Sequence, residues 1–244
     1  MGFALVLPVD SLTRFPVATL ILKVSDKLFL RDPQDTELGR KIIEFSIELI
    51  EEMGFEQFTF KKLAKRIAST EASIYRYFEN KHRLLVYLVS WYWTWVDYLI
   101  DYQTHNLSDP AQKLRIALRV LMESRRNDPA SIHVDEELLH RIVIAESPKL
   151  YLTKQVDAIG KEGAFKAYET LCQRIADLVE AYAPGYPYAL SLVSTLVGAV
   201  HEQLFFSEHL PNLTAVRADP DNPKELLQYL EGLTFSVLDK FAGK

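Results

Sequence analysis

The chain has 244 residues, 48% hydrophobic and 25% charged, with a formal net charge of −5, which gives room for one large domain or two modest ones around a sizeable core. Its single cysteine, Cys172, excludes an internal disulfide and a cysteine-rich zinc site, and it fits a reducing, cytoplasmic setting. The opening "MGFALVLPVDSL" lacks the positive residues of a signal peptide. No run reaches the roughly 18 apolar residues of a membrane span, so no membrane contact is expected.

Residues 1–31 are mildly apolar without a clear period. They read as an arm that is either poorly ordered or packed on the body or a partner; "TLILKV" at 19–24 is at most one short strand. From Asp32 onward the chain reads as helices. "DPQD" at Asp32, "DPAQ" at Asp109, "DPAS" at Asp128, "SPKL" at Ser147 and "NPKE" at Asn222 each place a small polar residue before proline. That residue caps free backbone N–H groups, and proline suits the first helical position. "RKIIEFSIELIEEMGF" has an apolar face through Ile42, Ile43, Ile47 and Ile50, with Gly54 as its stop. Thr59 can cap a short helix over 60–67. Thr70 can cap a second over 71–78, with Ile74 and Phe78 inward. A longer helix starts at Lys81 and runs to about Gln103. Further helices are expected at 110–126, 131–146, 149–183 (broken near Gly160 and Gly163), 187–208 and 223–242. The fold class is therefore all-α.

Charge is concentrated in one place. Between residues 57 and 84 stand Lys61, Lys62, Lys65, Arg66, Arg76, Lys81 and Arg83, opposed only by Glu71 and Glu79. A basic patch on an acidic body suits a local polyanion, although seven cations on two helices are equally a solvated face. Two short helices joined by a tight turn are the geometry of a helix-turn-helix, whose second helix enters the DNA major groove. The residue types around helix 71–78 suit that task. Arg76 can take a phosphate or a guanine edge, Glu71 the cytosine amino group and the Ala72 methyl a thymine. The Tyr75 and Tyr77 hydroxyls can donate to phosphate oxygens, and Ser73 projects on the same surface.

"IIEFSIELIEEMGFEQFTFKKLAKRIASTEASIYRYFENKHRLL" resembles the N-terminal DNA-binding domain of the tetracycline-repressor (TetR) family of bacterial transcriptional regulators, over about residues 40–90. The resemblance rests on the first helix ending "MGF", then "LAKRI", then "SIYRYFENK" with Lys81, then the leucines of the fourth helix. It implies a three-helix head at 32–80 and a larger helical body at 81–244 that dimerises and holds an effector. It also implies that Lys61 reaches DNA from the second helix, that Ser73, Tyr75, Arg76 and Tyr77 read or clamp the DNA, and that Lys81 holds a phosphate; Thr59, Glu71 and Ala72 are further DNA-binding candidates that the resemblance does not supply. The family usually has glycine where Ala68 stands, and a basic or polar residue followed by glycine where Glu71 and Ala72 stand.

In the body, "WYWTWVDYLIDY" sets Trp95, Tyr98 and Tyr102 at helical spacing. With Phe165, Tyr168 and Cys172 from a later helix they are candidates to line an effector cavity, although a filled aromatic core accounts for each residue singly. Helix 187–208 carries a small-residue seam through Ser191, Thr195, Gly198 and Glu202. Helix 223–242 carries Leu226, Leu230 and Val237 on one face. Together these are candidates for a two-fold homodimer interface. The expected activity is that of a ligand-responsive repressor bound as a homodimer to an inverted-repeat, double-stranded DNA operator and released by a small apolar effector, with no cofactor or metal. Two rivals stand beside it. One is the same fold used as a lipid-binding accessory protein without DNA, which salt-dependent DNA binding would separate. The other is a di-iron bundle enzyme, for which "ENKH" at Glu79–His82 and "ELLH" at Glu137–His140 are short, weak matches.

Overall fold

A computed structural model describes residues 22–123, 134–154, 156–217 and 224–243. Among these the secondary structure is helical throughout: α1 Glu37–Gln57, α2 Phe60–Arg66, α3 Glu71–Tyr75, α4 Lys81–Thr104, α5 Pro110–Glu123, α6 Glu136–Glu146, α7 Pro148–Tyr151, α8 Val156–Lys161, α9 Lys166–Tyr182, α10 Ala189–His209 and α11 Lys224–Leu238. The expected caps at Asp128 and Asn222 lie outside the described residues, as do residues 19–21 of the candidate strand; residues 22–24 form none.

Caps fix most of the helix starts. Side-chain oxygens of Thr59, Thr70 and Asp109 accept from Lys62 N, Ser73 N and Ala111 N at 3.3, 3.2 and 3.0 Å. Asp32 accepts from Gln34 N at 2.9 Å and opens one turn of 3-10 helix rather than α1. Thr36, Asn80 and Asp135 cap α1, α4 and α6. Ser147 does not cap; its backbone is itself helical and continues α6 towards α7. The expected helix 149–183 divides into α7, α8 and α9, with Gly163 at φ 82° in the break before α9.

Helix α4 is the axis. It buries Leu84, Leu85, Tyr87, Leu88, Tyr92, Trp93, Trp95, Val96 and Ile100 on several faces, with α5, α6 and α9 as its main neighbours. Its N-terminal turns close the small bundle of α1, α2 and α3 over Phe58, Leu63, Ile74 and Phe78. Its C-terminal half is covered mainly by α5, α6 and α9. Arg174 of α9 fastens it, with Nε 2.6 Å from Asp97 Oδ1 and a second nitrogen 2.6 Å from Asp101 Oδ1. Residues 22–31 pack on the body and are no free arm: Leu22 and Leu28 are buried, and Phe29 meets the Tyr87 ring edge-on at 6.0 Å.

Two backbone positions carry strain or special geometry. Gly54, at φ 76° and ψ 153°, kinks the end of α1 in a region that only glycine occupies readily. Ala68, at φ 49°, turns the chain between α2 and α3 in the left-handed region, where an L-residue pays roughly 1–2 kcal/mol. Gly54→Ala is expected to lose about 1–3 kcal/mol of stability. Ala68→Gly relieves the side-chain clash but loosens the unfolded chain, for a net gain of about 0.5 kcal/mol. Urea denaturation of the two variants beside the parent measures both.

Candidate nucleic-acid interface and effector cavity

The basic patch divides sharply once side chains are placed. Arg66 pairs with Glu52 and stands 3.9 Å from Glu48. Arg83 reaches Glu162 at 2.5 Å and Glu79 at 3.6 Å. Lys62 donates to the Gln57 carbonyl at 2.8 Å. Lys81 donates to the carbonyls of Phe55, Glu56 and Phe58 at 2.9, 3.0 and 3.2 Å and lies over the Phe55 ring. Its three N–H bonds are thus spent on the kinked end of α1. This corrects the expectation that Lys81 holds a phosphate: here it binds the backbone of the head together.

Lys61, Lys65 and Arg76 have no carboxylate partner among the described residues, and all three are exposed. Lys61 and Lys65 lie one turn apart on α2; Arg76 follows α3 and donates to Ser73 Oγ at 3.1 Å. Thr59, Glu71 and Ala72 are also exposed, and Ser73 is half-buried. Tyr75 is 48% exposed and braced edge-on against Phe60 at 5.1 Å. Tyr77 is a second correction. It is buried, its hydroxyl shares a 2.7 Å hydrogen bond with Thr36 Oγ1, and its carbonyl accepts from Leu30 N at 2.8 Å. A helix of only five residues, α3, turns Tyr77 inward, away from the expected surface.

The aromatic residues of the body are also distributed differently from the expectation. Trp95 is buried in the core against Trp91 and Tyr92, and its indole N–H finds no partner there. Tyr102 is 71% exposed and stacks on half-buried Tyr98. None of the three is among the described residues that line the hollow on the Trp93 side of α4. The residue that does is Trp93, two positions before Trp95. Its indole donates to Tyr151 Oη at 2.9 Å, and its ring lies 4.9 Å from Tyr168 and 5.5 Å from His201. Tyr168 therefore belongs to the cavity. Phe165 and Cys172 back it, Phe165 against Tyr151 at 5.3 Å and Cys172 beside Tyr168.

The hollow measures about 420 Å³ and lies between α4, α6, α7, α9 and α10, with Trp93, Tyr151, Tyr168, His201, Glu202 and Phe205 among its lining. A neighbouring hollow of about 490 Å³ shares Ile144, Ala145 and Phe205 and extends to Glu51 of α1. Burial raises the Tyr151 and Tyr168 phenols well above their ordinary range and also raises the Cys172 thiol, so all three stay protonated. Burial lowers His201 to about 4, which leaves the imidazole neutral. The Glu-x-x-His pairs do not converge: Glu137 is exposed and pairs with Arg141, His140 is buried with Nδ1 2.7 Å from Tyr92 Oη, Glu79 pairs with Arg83, and His82 meets Phe55.

The dimer candidates separate in the same way. Ser191, Thr195, Gly198 and Glu202 are exposed along α10. Leu226 and Leu230 are not available, because both are buried inside the subunit; Val237 is half-buried. The exposed stripe of α11 is Glu225, Tyr229, Gly232 and Ser236, which the leucine pattern concealed.

Residues 42–88 match the family described as bacterial regulatory proteins, tetR family. The chain thus carries a tetR-family region over residues 42–88. Three solved structures show the same fold. They are AibR in complex with isovaleryl coenzyme A and operator DNA (15% identity, 80% of this chain and 97% of that chain, TM-score 0.52), the fatty acid degradation regulator FadR from Bacillus halodurans (19%, 79% and 97%, TM-score 0.53), and the superantigen PfiT (16%, 84% and 96%, TM-score 0.52). No curated protein matches the chain.

The neutral state of His201 has a measurable consequence. Its folded value lies below the ordinary 6.5, so the unfolded chain binds the proton first. The contribution is fully present above pH 6.5 and is lost as pH falls through about 4. Over that window the parent is expected to lose about 1–3 kcal/mol more stability than His201→Asn, as read from urea melts at stepped pH.

Proposed function

We propose that this protein is a dimeric, ligand-responsive TetR-family repressor with its DNA-binding head at 32–80 and its effector and dimer body at 81–244. The observation that carries the reading is the set of uncommitted cations. Lys61, Lys65 and Arg76 stay open beside Ser73 and Tyr75, Lys62 is exposed and leans on the Gln57 carbonyl, and Arg66, Lys81 and Arg83 are held by partners within the subunit. The fold alone does not decide, since the superantigen PfiT shares it. AibR, solved with both a ligand and operator DNA, supports the two-site reading. A cytoplasmic setting follows from an operator as partner.

The route between the two sites runs through α6 as well as α4. Ile144 and Ala145 of α6 line the cavity. On the same helix Arg141 holds Glu51 at 2.6 Å, and the Glu146 carboxylate accepts from Phe55 N at 3.4 Å, both on α1. A ligand that moves α6 therefore moves the end of α1 and, through Lys81, the start of α4. Each site then changes the other's affinity by the same factor.

Helix α10 supports the dimer. By length and composition it is apolar enough to cross a membrane, with a mean hydropathy of 1.3, yet only 28% of that window is buried in the subunit. Its open face carries Ser191 and Thr195, with Ser194, Gly198 and Glu202 on the edge shared with the cavity, which suits close approach of a second helix in water better than contact with lipid. A Cβ added at Gly198 or Gly232 meets nothing within 4 Å, so nothing in the subunit requires either glycine. A helix-interior glycine costs about 1 kcal/mol, and a partner approaching closely accounts for it.

Two tests follow. With three open cations per subunit, the logarithm of the dimer's affinity for a selected inverted-repeat operator is expected to fall with the logarithm of salt at a slope of roughly −5. Arg76→Ala should reduce that slope by about 2, whereas Lys81→Met should leave the slope unchanged and lower the stability of the head by about 2 kcal/mol. Gly198→Leu is expected to fold normally and to sediment as a monomer at micromolar concentration, where the parent is a dimer.

A further inference from the structure

The charges around the two adjoining hollows are unequal. Glu51, Glu137, Glu202 and Glu208 line them, against one arginine, Arg141. Arg141 is already held by Glu51 at 2.6 Å and Glu137 at 3.0 Å. Among the described residues no lysine lines either hollow, and Lys149, just outside, is bound to Glu146 at 2.6 Å. Among those residues an anionic head group entering here would lose its water and meet no free cation in return. The walls are the opposite of hostile to a cation. Tyr151, Tyr168 and Phe205 present aromatic surface, whose ring faces carry negative potential, over buried Trp93, and Glu202 is part of the same lining.

We propose that this cleft takes a lipophilic organic cation, an ammonium or a delocalised aromatic cation, and selects against carboxylates and acyl thioesters of coenzyme A. The inference rests on the effector reading above and adds the sign of the ligand's charge. The exposed ring of Phe205 and the partly open rings of Tyr151 and Tyr168 would hold the cationic centre, with Glu202 and, in the second hollow, Glu208 supplying the countercharge. The apolar side chains Ile144, Val197 and Phe206 would take the rest of the molecule.

Tetraphenylphosphonium and tetraphenylborate have nearly one shape and opposite charge, so the pair isolates the electrostatic part. Tryptophan fluorescence of the full-length protein is titrated with each, and with a short acyl-coenzyme A, at 150 mM salt. The expected result is saturable binding of the phosphonium at least tenfold tighter than the borate, with no saturation by the thioester. Glu202→Gln or Glu208→Gln should narrow the preference about fivefold, while Glu180→Gln, the same charge change on exposed α9 away from the cleft, should not. Equal or tighter binding of the borate or the thioester overturns the proposal, as does a preference that neither Glu202→Gln nor Glu208→Gln alters. The titration is repeated with operator DNA. Phosphonium selectivity in a protein that binds no DNA leaves this inference standing and removes the repressor reading. Operator binding without that selectivity does the reverse.

Discussion

The structure depends on the burial of α4 on nearly every side. A helix that is apolar all round has no stable solvent face, so other helices must wrap it. Its first turns complete the core under Ile74 and Phe78, and its later turns place Trp93 on the cavity and Trp95 in the core. One continuous rod thus belongs to the small bundle and the large one at once. Arg174, forked across Asp97 and Asp101, keeps it from sliding along α9, because both carboxylates would have to release together.

Much of this was legible in the residues. Apolar spacing located every long helix, and Thr59 and Thr70 marked the starts of α2 and α3 as observed. What sequence spacing could not resolve was which of two adjacent stripes on a doubly buried helix faces a hollow. Trp93 and Trp95 differ by two positions, about 200° on a helix, yet both are bulky and apolar, and no local signal ranks them. The same limit misplaced Leu226 and Leu230. An apolar stripe announces burial without saying whether the cover is the chain itself or a second copy. The openness of Gly198 and Gly232 carries more information, because glycine in a helix has a cost that some contact must offset.

The basic stretch teaches a related lesson about charge. A count over 57–84 treats seven cations as equal, whereas their neighbours sort them. Lys81 saturates three carbonyls, and Arg66 and Arg83 each answer carboxylates on other elements. Glu52, Glu162 and the α1 carbonyls lie far enough away in sequence that no window over the basic run includes them all. Tyr77 follows the same rule, since its partner Thr36 is 41 residues away.

The segment before α1 is joined at both ends to different bodies. Leu30 is bonded to the Tyr77 carbonyl beside α3, while Leu28 and Ser25 sit against α4 and the Gly163 turn. A band fastened in that way adds a spring across the joint. Small tilts of the bundle formed by α1–α3 stretch it, and the amplitude of thermal rocking narrows. In the dimer proposed above, the two heads would then sample a tighter distribution of separations, and the tolerance for one base pair more or less between half-sites would be set in part by this segment.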